Sequence, residues 1–490
     1  MLSAWLIALV TACGPAERPA PEFVAYAAAE RLSLAVCERE GLEEPLLCGT
    51  IEVPADRANP GATLTVSFLV IPALDGNPAG RVWVEHPGGP GSSILGLASN
   101  FVLGAGLERF RRDRDILLID QRGLGESGGL QCPALREPRI LEPYYSRERV
   151  EACRREMDER GIDLTRYSTI DAVDDLDAIR ERLGYRQLDL GGWSYGSKFM
   201  LTYAHRHPER VRTISVFVPT IADYRRPLDW ARFTEAALEG MFADCASEPA
   251  CAAAFPDLRG DLRRLVERLD RQPVEATYRH PATGEQVSAV FDRARLIDEL
   301  HFYLLKIPSL RRTPWLIHTA AAGNLDPLID YAVRAASGGG ARDEALYLSI
   351  VCPEEVARLT PEEARAAARG TFVGTHFTDE FQMACEVWNL PPNPDYPLAW
   401  RTLDVPALVV AGDRDPITPV EYGETIAAGF RRSRHLPIHR MPHHSSGMVG
   451  SSCLDEILLE FLATADPEAL DTSCLTKISA HPFLTDSVAP

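Results

Sequence analysis

The sequence predicts an α/β fold built on a mostly parallel, doubly wound sheet. Strand-like and helix-like segments alternate, and several strands are short apolar runs with no polar face, as buried parallel strands require. Asp115–Ile119 is such a run, and Thr169–Leu183 has apolar residues at helical spacing before Gly184 ends it. The predicted strands are Ile51–Pro54, Thr63–Ile71, Arg81–Glu85, Asp115–Ile119, Gln187–Leu190, Val211–Val218 and Ala407–Val410, and the predicted helices among them are Thr169–Leu183 and Ser197–His207.

One long segment interrupts this alternation. From about Asp223 to Trp400 the pattern is mainly helical, and the sheet resumes at Asp404. The candidate helices of this segment are Phe233–Phe242, Leu258–Leu269, Ala294–Ile307 and Pro361–Ala368. We therefore predict a leader and tether over 1–32, a sheet domain over 33–222, an inserted helical cap over 223–400 and the rest of the sheet domain over 401–490.

Composition and charge narrow the class of protein. The chain has 490 residues, of which 46% are hydrophobic and 25% charged, so it can bury a sizeable core. Its formal net charge is −19. Because phosphate binding needs a basic surface, the charge argues against a nucleic-acid partner.

The N-terminus resembles an export signal. Leu2–Ala12 is apolar apart from Ser3 and Thr11, and it is shorter than the about 20 residues needed to span a bilayer. It runs into Val-Thr-Ala-Cys13-Gly, which resembles a bacterial lipobox, although no Lys or Arg precedes the apolar run. A Pro- and Ala-rich stretch follows, as expected of a tether. We expect export to the periplasm or cell envelope, with Cys13 as the candidate lipid attachment point to a membrane.

The cysteine count fits this expectation. The chain has 11 cysteines and no CxxC pair, so neither a zinc ribbon nor a thioredoxin-type site is indicated. Without Cys13, ten remain, and an oxidising compartment lets them pair. Sequence alone does not fix the connectivity, and buried free thiols are the alternative. Since neighbours close short loops, we predict the pairs Cys37–Cys48, Cys132–Cys153, Cys245–Cys251, Cys352–Cys385 and Cys453–Cys474.

A candidate nucleophile lies at a strand-to-helix junction. Gly192-Trp-Ser194-Tyr-Gly196 follows a predicted strand and precedes a predicted helix, the context of a nucleophile elbow. The two glycines let strand and helix approach closely, so the Ser194 hydroxyl would project above the edge of the sheet. A structural turn serine is the alternative.

A serine nucleophile needs a base, and the base needs an orienting acid. Asp413 and Asp415 both follow the strand that begins at Ala407, and we prefer Asp415 because Asp413 could cap the tight turn. His443 and His444 lie further on, and we prefer His444 as the base, with His443 as the alternative.

Other histidines suggest no metal. His439 and His443 have i,i+4 spacing, but Pro442 argues against a helix there and no third ligand has suitable spacing. His205 and His207 end the helix after the elbow, where surface histidines are common. We predict no metal and no cofactor.

The developing oxyanion needs backbone N–H donors. One should come from Tyr195, the residue after the nucleophile. The other should come from the glycine-rich loop His86–Gly91, where Gly89 is our candidate. An ordinary glycine-rich turn is the alternative.

Four motifs resemble a known family. They are Gly88–Gly91 (GGPG), Asp120–Ser127 (DQRGLGES), Gly192–Gly196 (GWSYG) and Asp415–Pro419 (DPITP). In this order they resemble the proline iminopeptidase and tripeptidyl aminopeptidase group of α/β-hydrolases, peptidase family S33. The resemblance runs from about Cys37 to Phe483, and Cys453–Phe483 is similar to the group's TAP-like C-terminal segment.

The resemblance implies an α/β-hydrolase fold with an inserted cap. The group's base sits in a Gly-His step, which aligns with His444 here, and Trp193 is bulkier than the group's usual residue before the nucleophile. The Asp120–Ser127 motif is expected to organise loops. Acidic cap residues of the group bind the substrate's ammonium, and Glu354, in a Cys-x-Glu element, is the candidate; a solvated helix-start glutamate is the alternative.

These inferences predict a serine exopeptidase that acts through an acyl-enzyme. Its substrate would be a peptide with a free N-terminus. The first alternative is a carboxylesterase or other acyl hydrolase acting on small esters, since fold alone does not choose the substrate. The second is a non-catalytic binding protein on the same fold.

Overall fold

The computed structural model describes residues 21–103, 106–136, 140–281, 283–337, 342–396 and 400–486. Within these ranges the strands are β1 (Ala35–Cys37), β2 (Leu46–Pro54), β3 (Thr63–Ile71), β4 (Val82–His86), β5 (Asp115–Ile119), β6 (Leu188–Trp193), β7 (Val211–Phe217), β8 (Val274–Arg279), β9 (Gln286–Phe291), β10 (Ala407–Gly412) and β11 (Ser433–Ile438). Nine of the described strands form one sheet in the order β1-β2-β3-β5-β4-β6-β7-β10-β11, and β8 pairs with β9 in a separate hairpin.

The sheet is parallel over most of its width. From β5 to β11 each strand runs parallel to its neighbour, whereas β1, β2 and β3 pair antiparallel at one edge. The parallel strands are short and apolar, and all six residues of β10 are buried. The prediction of a mostly parallel sheet is confirmed.

Helices cover both faces of this sheet and fill the segment between β7 and β10. They are α1 (Pro21–Leu32), α2 (Ala98–Val102), α3 (Pro133–Arg136), α4 (Arg147–Glu159), α5 (Thr169–Arg182), α6 (Tyr195–Arg206), α7 (Trp230–Ser247), α8 (Pro249–Ala254), α9 (Leu258–Arg271), α10 (Arg293–Tyr303), α11 (Ile307–Leu310), α12 (Thr313–Ala321), α13 (Asp326–Ser337), α14 (Glu344–Glu354), α15 (Pro361–Ala367), α16 (His376–Trp388), α17 (Val420–Ala428) and α18 (Ser452–Thr464). Short 3₁₀ helices lie at Leu95–Leu97, Leu107–Arg111, Leu164–Arg166, Pro208–Arg210, Val356–Arg358 and Ser473–Lys477.

The two faces of the sheet bury separate hydrophobic cores. Side chains alternate along a strand, so Val82 and Val84 of β4 lie in one core and Trp83 lies in the other. Helices α5 and α6 pack on the first core, and α7 and α18 pack on the second. Two covered faces explain why the parallel strands are apolar throughout.

The segment between β7 and β10, called the cap below, carries helices α7 to α16 and one hairpin. The hairpin β8–β9 is an addition to the mainly helical pattern predicted for this segment. Its first strand, VEATYR, alternates exposed and buried residues, and Ala276 and Tyr278 face the core. This period of two is a strand signal that a helical interpretation of the whole segment overlooks.

The predicted tether is too long at its C-terminal end. Pro21–Leu32 is the helix α1, in which Ala25, Ala28 and Leu32 are buried. Arg31 of this helix pairs with the buried Asp115 of β5 at 2.5 Å. The described part of the predicted tether therefore packs on the sheet domain, and Cys13 lies outside the described residues.

The ten remaining cysteines form the five sequential disulfides that the sequence predicts. The bonds join Cys37–Cys48, Cys132–Cys153, Cys245–Cys251, Cys352–Cys385 and Cys453–Cys474. Among the described residues, every helix is too short or too polar to cross a membrane.

Candidate active site

Ser194 occupies a sharp turn between β6 and α6. Its backbone has φ 53° and ψ −119°, a conformation that non-glycine residues rarely adopt. The Ser194 N–H donates to the Phe217 carbonyl at 3.0 Å. A Cβ on Gly192 would overlap the Gly196 backbone, and one on Gly196 would overlap the His86 carbonyl. The turn has the geometry of a nucleophile elbow, and both glycines are required for it.

The predicted oxyanion loop lies against this elbow. A Cβ on Gly88 would lie 3.1 Å from the Ser194 Cβ, which places the loop beside the hydroxyl. Gly89 has φ +116°, a conformation that favours glycine. Tyr195 begins α6, where the first N–H groups have no acceptor within the helix. Gly89 and Tyr195 thus flank Ser194, and their role as oxyanion donors stays a prediction.

The Asp120–Ser127 motif organises these loops, as expected. The Asp120 carboxylate accepts hydrogen bonds from the Ser93 hydroxyl at 2.8 Å and from the Ile94 N–H at 3.1 Å. The ring of His86 lies 3.2 Å from the Gln121 side-chain oxygen. Burial lowers the pKa of His86 to about 4, so this ring is neutral at pH 7.

The structure pairs Asp415 with His443. Asp415 Oδ2 lies 2.7 Å from His443 Nδ1, and both side chains are buried. Two backbone N–H groups, of Ile417 and Thr418, donate to Asp415 Oδ1 at 2.8 and 2.9 Å. These bonds fix the carboxylate in its acceptor form facing the imidazole. The alternative acid, Asp413, instead accepts from the Arg440 N–H and lies 2.9 Å from His439.

The prediction of His444 as the base is wrong in this geometry. The His444 backbone N–H donates to the Leu305 carbonyl at 2.9 Å, and His444 forms a bridge with Lys306 of the cap. Its ring is exposed and stands at 86° to that of His443. His443, and not His444, therefore forms the hydrogen bond with Asp415.

The elbow and the acid–base pair lie at the same edge of the sheet. Strands β6, β7 and β10 are adjacent and parallel, so their carboxyl ends meet. The Val218 N–H, just after β7, donates to the Val410 carbonyl of β10 at 2.7 Å. Ser194 follows β6 and Asp415 follows β10. This edge therefore holds a serine, an aspartate and a histidine, in the chain order of an α/β-hydrolase triad.

A family model described as "alpha/beta hydrolase fold" matches residues 84–443, which is more than half of the chain. The chain belongs to the α/β-hydrolase fold family.

Three curated relatives align with the hydrolase over most of its length. The tripeptidyl aminopeptidase of Streptomyces coelicolor is 24% identical over 479 residues and covers 90% of this chain and 85% of its own. The serine protease Hip1 of Mycobacterium tuberculosis is 27% identical over 451 residues, covering 85% of each chain. Carboxylesterase B of Mycobacterium tuberculosis is 24% identical over 472 residues, covering 86% of this chain and 85% of its own.

Glu354 does not offer the hydrolase a free carboxylate for a substrate ammonium. It is fully buried, and its oxygens accept from the Thr169 N–H at 2.7 Å and the Thr169 hydroxyl at 2.8 Å. Lys198 Nζ lies 2.7 Å from the same carboxylate. The ammonium that Glu354 binds is the protein's own, so the predicted role in substrate binding is wrong.

Three residues of this buried cluster were missed by sequence reasoning. Lys198 Nζ also lies 2.8 Å from Glu355, and Glu355 lies 3.4 Å from the Arg226 guanidinium. Burial alone would lower the pKa of Lys198, but Glu354 and Glu355 reverse this and hold it well above its ordinary value. A lysine among the buried residues of α6 is the signal that could have revealed the cluster, since buried charges are paired.

A cavity of about 140 Å³ opens beside the elbow on the α18 side of the sheet. The Trp193 ring stacks on Phe217 at 4.2 Å and forms one wall. Trp83 Nε1 donates to Glu85 at 3.1 Å in the same cavity. Burial, assisted by nearby Asp455, raises the pKa of Glu85 to about 7. This cavity is thus lined mainly by apolar side chains, and the carboxyls of Glu85 and Asp455 both lie on its wall.

One group of side chains in the described part of the chain has the spacing of metal ligands. It consists of Asp298, His376 and Glu380 in the cap. His376 Nε2 lies 2.7 Å from Asp298, and Arg295 pairs with both carboxylates. Because a guanidinium and an imidazole already pair with the two carboxylates, this group fits an internal ion-pair network better than a metal site.

Proposed function

We propose that the hydrolase is a serine exopeptidase that releases one or a few residues from free peptide N-termini. The observation that carries the proposal is the Asp415–His443 pair at the sheet edge that holds Ser194 on its elbow. The alignment with a tripeptidyl aminopeptidase over 90% of the chain supports the substrate class.

The reaction would proceed through an acyl-enzyme. Ser194 Oγ attacks the scissile carbonyl while His443 takes its proton. His443 would accept the proton on Nε2, because its Nδ1 faces Asp415. Asp415 would keep the hydrogen of the neutral imidazole on Nδ1 and stabilise the imidazolium that forms. The N–H groups of Gly89 and Tyr195 would bind the oxyanion, each lowering the barrier by about 2.7–4 kcal/mol. The imidazolium then protonates the leaving amine, and water hydrolyses the acyl-enzyme.

The position of the cap is consistent with a substrate whose acyl part is short. It contacts the base loop through the Leu305 carbonyl and Lys306, and it contacts the oxyanion loop through the Asp343 N–H, which donates to the Gly91 carbonyl at 2.8 Å. Cap contacts on both sides of the nucleophile restrict access by long chains. The cavity beside Trp193 would accommodate one substrate side chain.

The main competing proposal is a carboxylesterase, supported by the alignment with carboxylesterase B. The test is a panel of tripeptidyl- and aminoacyl-anilides against short-chain nitrophenyl esters, with Ser194→Ala as the control for background hydrolysis. Anilide turnover that depends on Ser194 supports a peptidase. Turnover of esters without any anilide would contradict it.

A second comparison tests the exopeptidase step. Each cleaved anilide is assayed with a free and an N-acetylated N-terminus. An aminopeptidase should show a lower kcat/KM for the acetylated form. Equal values would contradict the requirement for a free N-terminus while leaving peptidase activity intact.

We propose further that the protein is exported and lipid-anchored through Cys13. Five disulfides in the described residues support an oxidising compartment, and the apolar run Leu2–Ala12 supports a signal. In a bacterial host, labelled palmitate should be incorporated into the parent and not into Cys13→Ser. Labelling of both, or of neither, would contradict the lipid anchor.

A further inference from the structure

Arg226 joins the cap to the oxyanion loop. It precedes α7 and is 3% exposed. One guanidinium nitrogen, Nη1, donates to the Gly89 carbonyl at 2.9 Å and to the Tyr347 hydroxyl of α14 at 3.0 Å. Arg226 Nε lies 3.4 Å from Glu355, which follows α14. A buried cation thus spans the space between two cap elements and the residue whose N–H is the predicted oxyanion donor.

Gly89 needs such a restraint. A glycine with φ +116° has no side chain to limit its backbone, and its conformational freedom would leave the N–H direction undefined. Arg226 holds the Gly89 carbonyl, and the Asp343 N–H holds the Gly91 carbonyl at 2.8 Å. Both donors belong to the cap. Preorganised donors are what oxyanion stabilisation requires, since a donor that must reorient loses its effect.

The charge on Arg226 is balanced by a chain of buried ion pairs. Glu355 is shared between Arg226 and Lys198, and Lys198 is shared with Glu354. Lys198 lies on α6, the helix that begins after the nucleophile. The two cations and two carboxylates are each at most 4% exposed in their side chains. These ion pairs, with the hydrogen bond from Arg226 to Gly89, link α6, the cap and the oxyanion loop.

We propose that Arg226 is a positioning residue for the oxyanion hole, which makes the cap part of the machinery that stabilises the transition state. The proposal rests on the proposed serine-hydrolase function. It applies equally to peptide and ester substrates, because both form an oxyanion. Arg226 acts through Gly89 and touches no reacting atom.

The test uses the full chain and a charge-balanced variant. Removing Arg226 alone would leave Glu355 with a buried charge that is only partly paired, so Arg226→Gln is combined with Glu355→Gln. We expect kcat for a cleaved substrate to fall roughly 10–100-fold with KM changed by less than about 3-fold, since one donor is misaligned rather than deleted. Arg225→Gln is the matched control, because Arg225 pairs with the partly exposed Glu363 at 2.7 Å, and this variant should leave kcat unchanged.

A peptide aldehyde separates positioning from a general structural effect. The aldehyde forms a hemiacetal oxyanion on Ser194, whereas the matching peptide alcohol binds without one. We expect the double variant to lose aldehyde affinity by the same factor as kcat and to keep its alcohol affinity. Equal losses for both inhibitors, or a kcat within 3-fold of the parent, would overturn the proposal.

A second variant and a labelling experiment test the role of Arg226 and the serine-hydrolase function separately. If the double variant does not fold, Arg226→Lys preserves the charge, and its single ammonium should still reduce the aldehyde-to-alcohol affinity ratio about 3–10-fold; an unchanged ratio would overturn the proposal. Fluorophosphonate labelling of Ser194 in the parent reports on the serine-hydrolase function itself. A parent without such labelling would contradict the proposed function rather than the role of Arg226.

Discussion

Two regions around the elbow hold buried carboxylates that differ in their partners, and the partners separate the roles of these carboxylates. Asp415 faces His443, whose imidazole can accept and release a proton. Glu354 and Glu355 face Lys198 and Arg226, whose charges are permanent at any physiological pH. A carboxylate beside a titratable base can support proton transfer, whereas one neutralised by a fixed cation can only hold structure. The group that a buried carboxylate faces, rather than its burial, therefore distinguishes an acid–base site from a structural ion pair.

Substituting the acid of the first region should give the largest effect. Asp415→Asn keeps an acceptor for the Ile417 and Thr418 N–H groups but stabilises the wrong tautomer of His443. We expect kcat to fall about 10⁴-fold with little change in the urea midpoint of unfolding. Asp413→Asn is the control and should stay within about 3-fold. Similar losses of kcat in both variants would contradict the assignment of Asp415, rather than Asp413, as the acid.

Removing Lys198, the cation that Glu354 and Glu355 share, should lower the free energy of unfolding. Lys198→Met leaves Glu354 and Glu355 buried without their common ammonium, and we expect the free energy of unfolding to fall by about 3–5 kcal/mol. Urea unfolding measures this, with the exposed Lys477→Met as a control that should change it by less than about 0.5 kcal/mol. A Lys198→Met variant with the parental free energy of unfolding would show that these ion pairs do not stabilise the fold.

The disulfide of the cap should contribute somewhat less. Cys352 in α14 lies two residues before Glu354 and is bonded to Cys385 of α16, 33 positions away. Replacing both cysteines by serine should lower the free energy of unfolding by about 2–4 kcal/mol. The same change at Cys245–Cys251, only 6 positions apart, should cost less, because a shorter loop loses less entropy. The reverse order would contradict this account.

Glu85 is a third kind of carboxyl near the elbow, half-buried and without a cation, and its effect should appear as a pH dependence of stability. Its pKa is about 7 in the folded protein and about 4.3 when unfolded, so the folded state binds the extra proton between these values. The free energy of unfolding should therefore fall as pH rises from about 4.5 to 7, and in Glu85→Gln this fall should be absent. Unfolding midpoints at pH 5 and pH 8 measure it, with the exposed Glu468→Gln as control. An unchanged pH dependence in Glu85→Gln would contradict the raised pKa.

Local signals explain what the sequence predicts well. The elbow depends on five consecutive residues and the two elements beside them, so its geometry around Ser194 could be predicted directly. The parallel strands follow from apolar runs, and the disulfide pairs follow from short loops.

Long-range partners explain the errors. The carboxylate of Glu355 meets an ammonium 157 positions away, and no local pattern around Glu354 reveals that Lys198 already occupies the space expected for a substrate. His443 and His444 are neighbours in the sequence, and only the fold decides which of them meets Asp415. That choice depends on the bond from His444 to Leu305 in the cap, a contact that sequence spacing cannot supply.

The central claim is that His443 is the base of a serine hydrolase, and its neighbour provides the matched control. The measurement is kcat for the best substrate in His443→Ala and His444→Ala, prepared side by side. The account predicts a loss of roughly 10⁴–10⁶-fold in His443→Ala and a change of less than about 5-fold in His444→Ala. A large loss in His444→Ala with near-parental activity in His443→Ala would contradict it.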